Sequence, residues 1–249
     1  MAEIIILAPR PAVSQWKVAS LIARYFIEKG HRVYLDDCLK LLIPVKLVDL
    51  LIVVDSAFIH TAQRVLQKSW LARNKVFSCD IEGVPIMPIS YARWFSSTYK
   101  IVPSSKYVAD CLVKAGFRVD GVIYRAIDYD YYQYVDEDLV EKIRNEHGDF
   151  FLFLGGMLNR KGIDLLFKSW EKFIEFNRPK AKLLCIISKD PRDLEYLSKL
   201  KIPEKVEIRH DFGNMSEDYL KALYKASLAF LWPTRAEGFG MPILECMAL

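Results

Sequence analysis

Short runs of β-branched and other apolar residues, each closing in a polar turn and followed by a stretch of helical period, recur along most of this 249-residue chain. The opening instance is Ile4 to Leu7, then a helical pattern from Val13 to Lys29, then Arg32 to Leu35, which predicts a βαβ unit. The pattern continues with a strand at Leu50 to Val54, a helix from about Ile59 to Ala72, strands at Lys75 to Ser78 and Tyr99 to Val102, and a helix from Lys106 to Ala115. A strand that follows a crossover helix returns in the direction of the strand before it. The alternation therefore demands a parallel sheet with helices on its faces.

The alternation restarts at Phe150, with strands at Phe150 to Leu154, Lys182 to Ser188, Val206 to Arg209 and Leu228 to Trp232, and helices at Ile163 to Phe176 and Glu217 to Ala226. Between the halves lies a polar stretch rich in Asp, Glu and Tyr that ends in His147-Gly148. The expected organisation is a first α/β domain over 1–127, a linker over 128–149 and a second α/β domain over 150–249.

Composition narrows the function classes. Lys46, Asp49 and Asp55 interrupt the most apolar stretch, so no run reaches the roughly 20 residues that span a bilayer. The Ile4 to Leu7 run lacks a basic flank and is too short for a signal-peptide core. Five cysteines, odd in number, widely spaced and never in C-x-x-C, argue against a disulfide framework or zinc site and fit a reducing cytoplasm. Residues 1–125 hold 17 Lys/Arg against 10 Asp/Glu, whereas residues 126–249 hold 18 against 21. The basic first half suits an anionic partner or is simply a solvated surface. The chain carries no recognisable nucleic-acid module and no stripe of interleaved aromatic and basic residues, so no nucleic-acid partner is expected.

The most informative segment is Leu231-Trp-Pro-Thr-Arg-Ala-Glu-Gly-Phe-Gly-Met-Pro-Ile-Leu-Glu245, which reads strand, loop, helix, with Pro242 suited to a first helical turn. Gly238 and Gly240 permit close backbone approach, and the helix start offers N–H groups and a positive dipole end to anionic or hydroxyl-rich groups. Glu237 and Glu245 stand eight residues apart, one in the loop and one in the helix. Upstream, Phe151-Leu-Phe-Leu-Gly-Gly-Met-Leu-Asn-Arg-Lys-Gly162 sets Arg160 and Lys161 ahead of a helix at the end of a strand. Alone that dipeptide reads as a solvated basic pair.

Together these segments resemble retaining GT-B glycosyltransferases of family 4, weakly over 1–125 and strongly over 150–249. The resemblance implies two facing Rossmann-like domains, the second truncated at its C-terminus where the chain stops. It implies that Glu237 and the backbone of Gly238, Phe239, Gly240 and Met241 contact the donor sugar and phosphates, and that Glu245 holds the ribose hydroxyls. Lys161, assisted by Arg160, would neutralise the departing diphosphate, with Gly155, Gly156 and Thr234 lining the donor site. Backbone around Phe212 and Gly213 would border the base. Gly156 departs from the family pattern, which has Arg there. The usual glycine-rich first loop is also replaced, by Ala8-Pro9-Arg10-Pro11. His60, Asp80 and Glu82 are the acceptor-side candidates, and His210 reads as a packed or hydrogen-bonding residue. The helix Ile59 to Asn74 reads as an amphipathic surface helix, or as one lying on an anionic membrane face.

The expected activity is therefore transfer of a hexosyl group from a UDP- or GDP-sugar to a glycan, lipid or protein acceptor, with retention. No metal or other cofactor is expected. The alternative is a non-catalytic nucleotide-sugar-binding or scaffold protein.

Overall fold

The computed structural model describes residues 1–10, 13–38, 47–55, 72–177 and 179–249. Two compact units emerge, one formed by Met1–Ile127 with Glu237–Met241 and the other by Asp128–Ala236 with Pro242–Leu249.

The first unit contains β1 (Glu3–Ala8), α1 (Val13–Glu28), β2 (Arg32–Asp37), β3 (Val48–Asp55), β4 (Ala72–Cys79), α2 (Ile89–Thr98), β5 (Lys100–Pro103) and α3 (Lys106–Lys114). Its strands are all parallel, in the order β2-β1-β3-β4-β5. Ile5 and Leu7 of β1 enter one core with Phe77, Phe95, Tyr99 and Ile101, whereas Ile4, Ile6 and Ala8 enter another with Val18, Ala19 and Ala23 of α1. β3 divides the same way, Leu51 and Val53 to the first core and Ile52 and Val54 to the second. These strands are unbroken apolar runs because the two-residue period sorts side chains between two cores rather than between core and water.

The second unit contains α4 (Tyr129–Gln133), α5 (Glu137–His147), β6 (Phe150–Gly155), α6 (Leu158–Lys161), α7 (Ile163–Asn177), β7 (Lys182–Ile187), α8 (Pro191–Ser198), β8 (Val206–Arg209), α9 (Glu217–Ala226), β9 (Ala229–Phe230) and α10 (Met241–Met247), whose first residue groups with the other unit. Its parallel strands run in the order β8-β7-β6-β9. Phe150, Leu152, Leu154, Leu184 and Ile186 face α5 and α9, while Phe153, Leu183, Cys185 and Ile187 face α7 and α8 through Leu166, Phe167, Trp170 and Leu197.

Several expectations need correction. Residues 128–149 are not a linker but two helices of the second unit. Asp136 caps α5 by accepting the Leu139 N–H at 3.1 Å, Glu137 and Asp138 occupy its first turn, and Arg144 and His147 its last. That charge order complements the helix dipole, and it made a packed helix look merely polar. Ala72 opens β4 rather than closing a helix, and the rest of the helix expected from Ile59 lies outside the described residues. The strand expected over Leu228 to Trp232 contracts to Ala229–Phe230. α2 and α8 were not anticipated, although Asp190-Pro191 is a capping sequence: the Asp190 carboxylate accepts the Arg192 N–H at 2.8 Å. Among the described residues no helix is long and apolar enough to cross a membrane.

Because Val140 and Ile143 are fully enclosed in the second core, Ile143→Ala should destabilise the protein by about 2–5 kcal/mol. Urea denaturation checks this, and a change below 0.5 kcal/mol, of the order seen at exposed surface positions, would restore the linker reading.

Candidate functional site

The strand order of the second unit reverses at β6, which has β7 on one side and β9 on the other. In open parallel sheets ligands bind beyond the carboxyl ends of the strands at such a reversal. The segments leaving that point are 156–162 and 231–236, which hold Gly156, Arg160, Lys161 and Thr234.

The first segment is anchored by a residue that sequence reasoning missed. Asp193, buried in the first turn of α8, accepts the Met157 N–H at 2.9 Å and the Leu158 N–H at 2.8 Å, and the Ser188 hydroxyl at 2.5 Å. One carboxylate thus satisfies the donors at the start of α6 and holds Met157 in the left-handed region at φ 55°. A Cβ at Gly156 would approach Asp193 Oδ2 and Ser188 to 3.3 Å.

The second segment is stitched to the first. Arg235 N–H donates to Arg160 O at 2.8 Å, and Arg160 Nη1 donates to Ala236 O at 2.9 Å. The Thr234 hydroxyl lies 2.9 Å from Ala236 O and 3.3 Å from Arg160 O. The Arg235 guanidinium grips both oxygens of Asp164 at 2.8 and 2.7 Å and donates to Asn159 O at 2.6 Å. The Arg235 hydrogen bonds hold the Asp164 carboxyl at about 2, below its ordinary 3.8. Gly162, at φ 73°, has no room for a side chain, because a Cβ would collide with the Pro233 carbonyl.

Lys161 follows from this stitching. It is only 8% exposed, and its Nζ lies 4.0 Å above the centre of the Trp232 ring. The ring face attracts the ammonium while the stem packs by Gly155, where a Cβ would stand 3.6 Å from Lys161 Cγ. Lys161 is therefore a fixed cation at the reversal, not a solvated one. Arg160 reaches the segment before Glu237 through its hold on Ala236.

Glu245 sits on α10 and is 5% exposed. Its carboxylate lies near enough to the phenols of Tyr132 on α4 and Tyr224 on α9 to act on both electrostatically. Burial, then the carboxylate itself, pushes both phenols up, so both keep their protons. The Phe212 N–H is used to close its turn onto Ile187 O at 3.2 Å, and its ring packs against the core. Gly213 follows at φ 89°. His210 is exposed rather than packed.

Within the first unit, Asp80 follows β4 and accepts the Ser104 hydroxyl at 3.0 Å. Beside it Arg125 is buried and donates to Ser78 Oγ at 2.8 Å, with Asp80 supporting its charge against the cost of burial. The Glu237–Met241 segment joins this cluster: Ser105 Oγ donates to Gly238 O at 2.7 Å, and Phe239 stands 6.4 Å from Tyr124, centre to centre. A Cβ at Gly238 would run into the Asp80 carboxylate. Gly240 has φ 88° and Met241 is buried. Glu82 is exposed, its carbonyl accepting the Tyr107 hydroxyl at 3.2 Å. His60 lies outside the described residues. Among those residues no three His, Cys, Asp or Glu side chains gather as a metal site.

Residues 135–249 match the family model described as glycosyl transferases group 1. A protein of Sulfolobus islandicus rod-shaped virus 1, described as an uncharacterized glycosyltransferase, is 26% identical over 181 residues, which is 70% of this chain and 52% of that one. A Methanocaldococcus jannaschii protein with the same description is 37% identical over 100 residues, 39% of this chain and 24% of that one. The chain thus spans about half the length of the first and a quarter of the second. A crystal structure of Anabaena HepE in complex with UDP and glucose is similar at a TM-score of 0.69 and 14% identity, covering 100% of this chain and 78% of that one. The chain has the two-unit, parallel-sheet α/β fold of the GT-B class.

Two outcomes test the local account. Gly162→Ala combines a left-handed backbone with a collision against Pro233, and should lower stability by about 1–3 kcal/mol in thermal unfolding. The Asp164 carboxyl is held below its ordinary value, so its pairing contributes fully above about pH 4 and is lost as pH falls through about 2. Acid titration of stability should show Asp164→Asn less stable than wild type at neutral pH, with the difference vanishing towards pH 2.

Proposed function

We propose that this protein transfers a hexosyl group from a nucleoside diphosphate sugar, UDP- or GDP-linked, to a hydroxyl of a glycan, lipid or protein acceptor, with retention of configuration. The observation that carries the reading is Lys161: a buried, ring-stacked cation fixed at the strand-order reversal of the unit that matches the group 1 model. The HepE structure, which holds UDP and glucose, supports a nucleotide-sugar donor.

In this reading Lys161 neutralises charge developing on the diphosphate as the glycosidic bond breaks. A cation already held in place needs no reorganisation at that moment, which is where an electrostatic contribution accelerates the reaction. Arg160 supports it by holding Ala236 and so the start of the Glu237 segment. Glu237 orients the donor sugar, Glu245 receives the ribose hydroxyls, and Asp80 serves the acceptor side. The protein's own cations meet the leaving-group charge, and no metal is required.

A second reading, nucleotide-sugar binding without transfer, is favoured by Gly156, which leaves no cation where the pattern that the sequence resembles has Arg. Slow hydrolysis of the donor in the absence of acceptor separates the two.

Calorimetric titration with UDP, GDP, ADP and their sugar conjugates should give micromolar binding to one nucleotide series, lost in Glu245→Ala. Lys161→Ala should lower kcat/KM by roughly 10²–10³-fold, the cost of removing one preorganised charge-stabilising group, while the circular dichroism spectrum is retained. Failure to bind any nucleoside diphosphate would sink the proposal.

A further inference from the structure

The basic excess of residues 1–125 includes one buried member that the donor-site motif does not use. After α3 the chain returns beside β5, the Asp120 N–H donating to Ile101 O at 2.9 Å and the Ile123 N–H to Pro103 O at 3.1 Å. That return carries Arg125 to the carboxyl ends of β4 and β5, where its Nη1 donates to Ser78 Oγ at 2.8 Å. The strand ends around it are tied together. The Ser104 N–H donates to Cys79 O at 3.0 Å, and the enclosed Ser104 hydroxyl donates to Asp80 Oδ1 at 3.0 Å. Arg125 itself is only 8% exposed.

A guanidinium carries five N–H donors in a planar fork and no acceptor. Arg125 spends one on Ser78, and among the described residues it makes no other hydrogen bond and no salt bridge. A buried cation in that state is costly, because only pairing and hydrogen bonds offset its desolvation. The unspent donors match two oxygens of a phosphate or carboxylate, which a guanidinium takes through parallel N–H bonds. Lys161, which meets the donor diphosphate in the reading above, belongs to the other unit. Arg125 is thus left to the second substrate. We propose that Arg125 is the seat of an oxyanion, phosphate or carboxylate, carried by the acceptor that this protein glycosylates. The assignment to the acceptor rests on the transferase reading above, whereas the anion seat rests on the unspent donors of Arg125.

The test follows the unfolding midpoint against inorganic phosphate and against acetate at constant ionic strength, with calorimetric titration of UDP and GDP in parallel. Either anion, at about ten times its dissociation constant, should raise the wild-type midpoint by about 3 °C, and the tighter of the two identifies the oxyanion class. Arg125→Lys keeps the charge and loses the fork. It should weaken the anion several-fold with little change in the anion-free midpoint, and Arg125→Met should abolish the response. Lys161→Ala should retain the response, and both Arg125 variants should bind UDP and GDP as wild type does. A response undiminished in Arg125→Lys and Arg125→Met, or absent from wild type, would overturn the inference. A response lost in Lys161→Ala and kept in the Arg125 variants would put the anion in the donor site and overturn it too. Nucleotide binding that falls together with the anion response in Arg125→Lys would make the oxyanion the donor's and overturn the assignment to an acceptor. An intact anion response in a wild type that binds no nucleotide would overturn the transferase reading, and the acceptor with it, while leaving the Arg125 seat standing.

Discussion

The reversal of strand order at β6 is the constraint on which the second unit depends. With β7 on one side and β9 on the other, the segments leaving β6 and β9 start from adjacent strands and are not themselves part of the sheet. Their backbone groups must find partners elsewhere. They find them in Asp193, which takes the first donors of α6, and in the exchange between Arg160, Thr234, Arg235 and Asp164. Every polar group used in this way lowers the freedom of the segment that carries Lys161. The lysine's position is a product of that stitching rather than of its own contacts alone.

The same stitching divides the work of two neighbouring cations. Where a carboxylate is already spent on the α6 start, with Ser188 donating to it, the space above Gly156 is filled from the protein side. The basic group nearest in sequence, Arg160, turns instead to the Ala236 carbonyl. Charge provision and loop support are thus divided between neighbouring residues, Lys161 stacked on Trp232 and Arg160 bonded to backbone.

Legibility from the sequence followed the strength of the local pattern. β1, β3, β6 and β7 were readable because both faces of a parallel sheet are covered, leaving uninterrupted apolar runs. α5 was not, because its apolar face is narrow and its ends are charged in the order a helix dipole favours, which gave a polar composition to a packed element. α8 announced itself only by Asp190-Pro191. In the site, the Glu237 to Glu245 motif and the Arg160-Lys161 pair stood out by spacing. Asp193 and Asp164 had no such signal, since the backbone N–H groups and the guanidinium they hold lie 35 or more residues away and nothing local marks a carboxylate for a distant contact.

What the sequence by itself determined is the class of fold, two parallel α/β units, and the strand-loop-helix segments that end in Lys161 and Glu245. Period and glycine placement are local properties, fixed by the geometry of strands and helix starts, and they survive being read one window at a time. What only the tertiary structure decided is the state of the charged groups: that Lys161 is buried on a ring rather than solvated, that Arg160 serves a backbone carbonyl, and that Glu245 is enclosed with two tyrosines from elements far along the chain. Burial and pairing depend on which elements meet, and that is settled by the strand order and the packing of its faces.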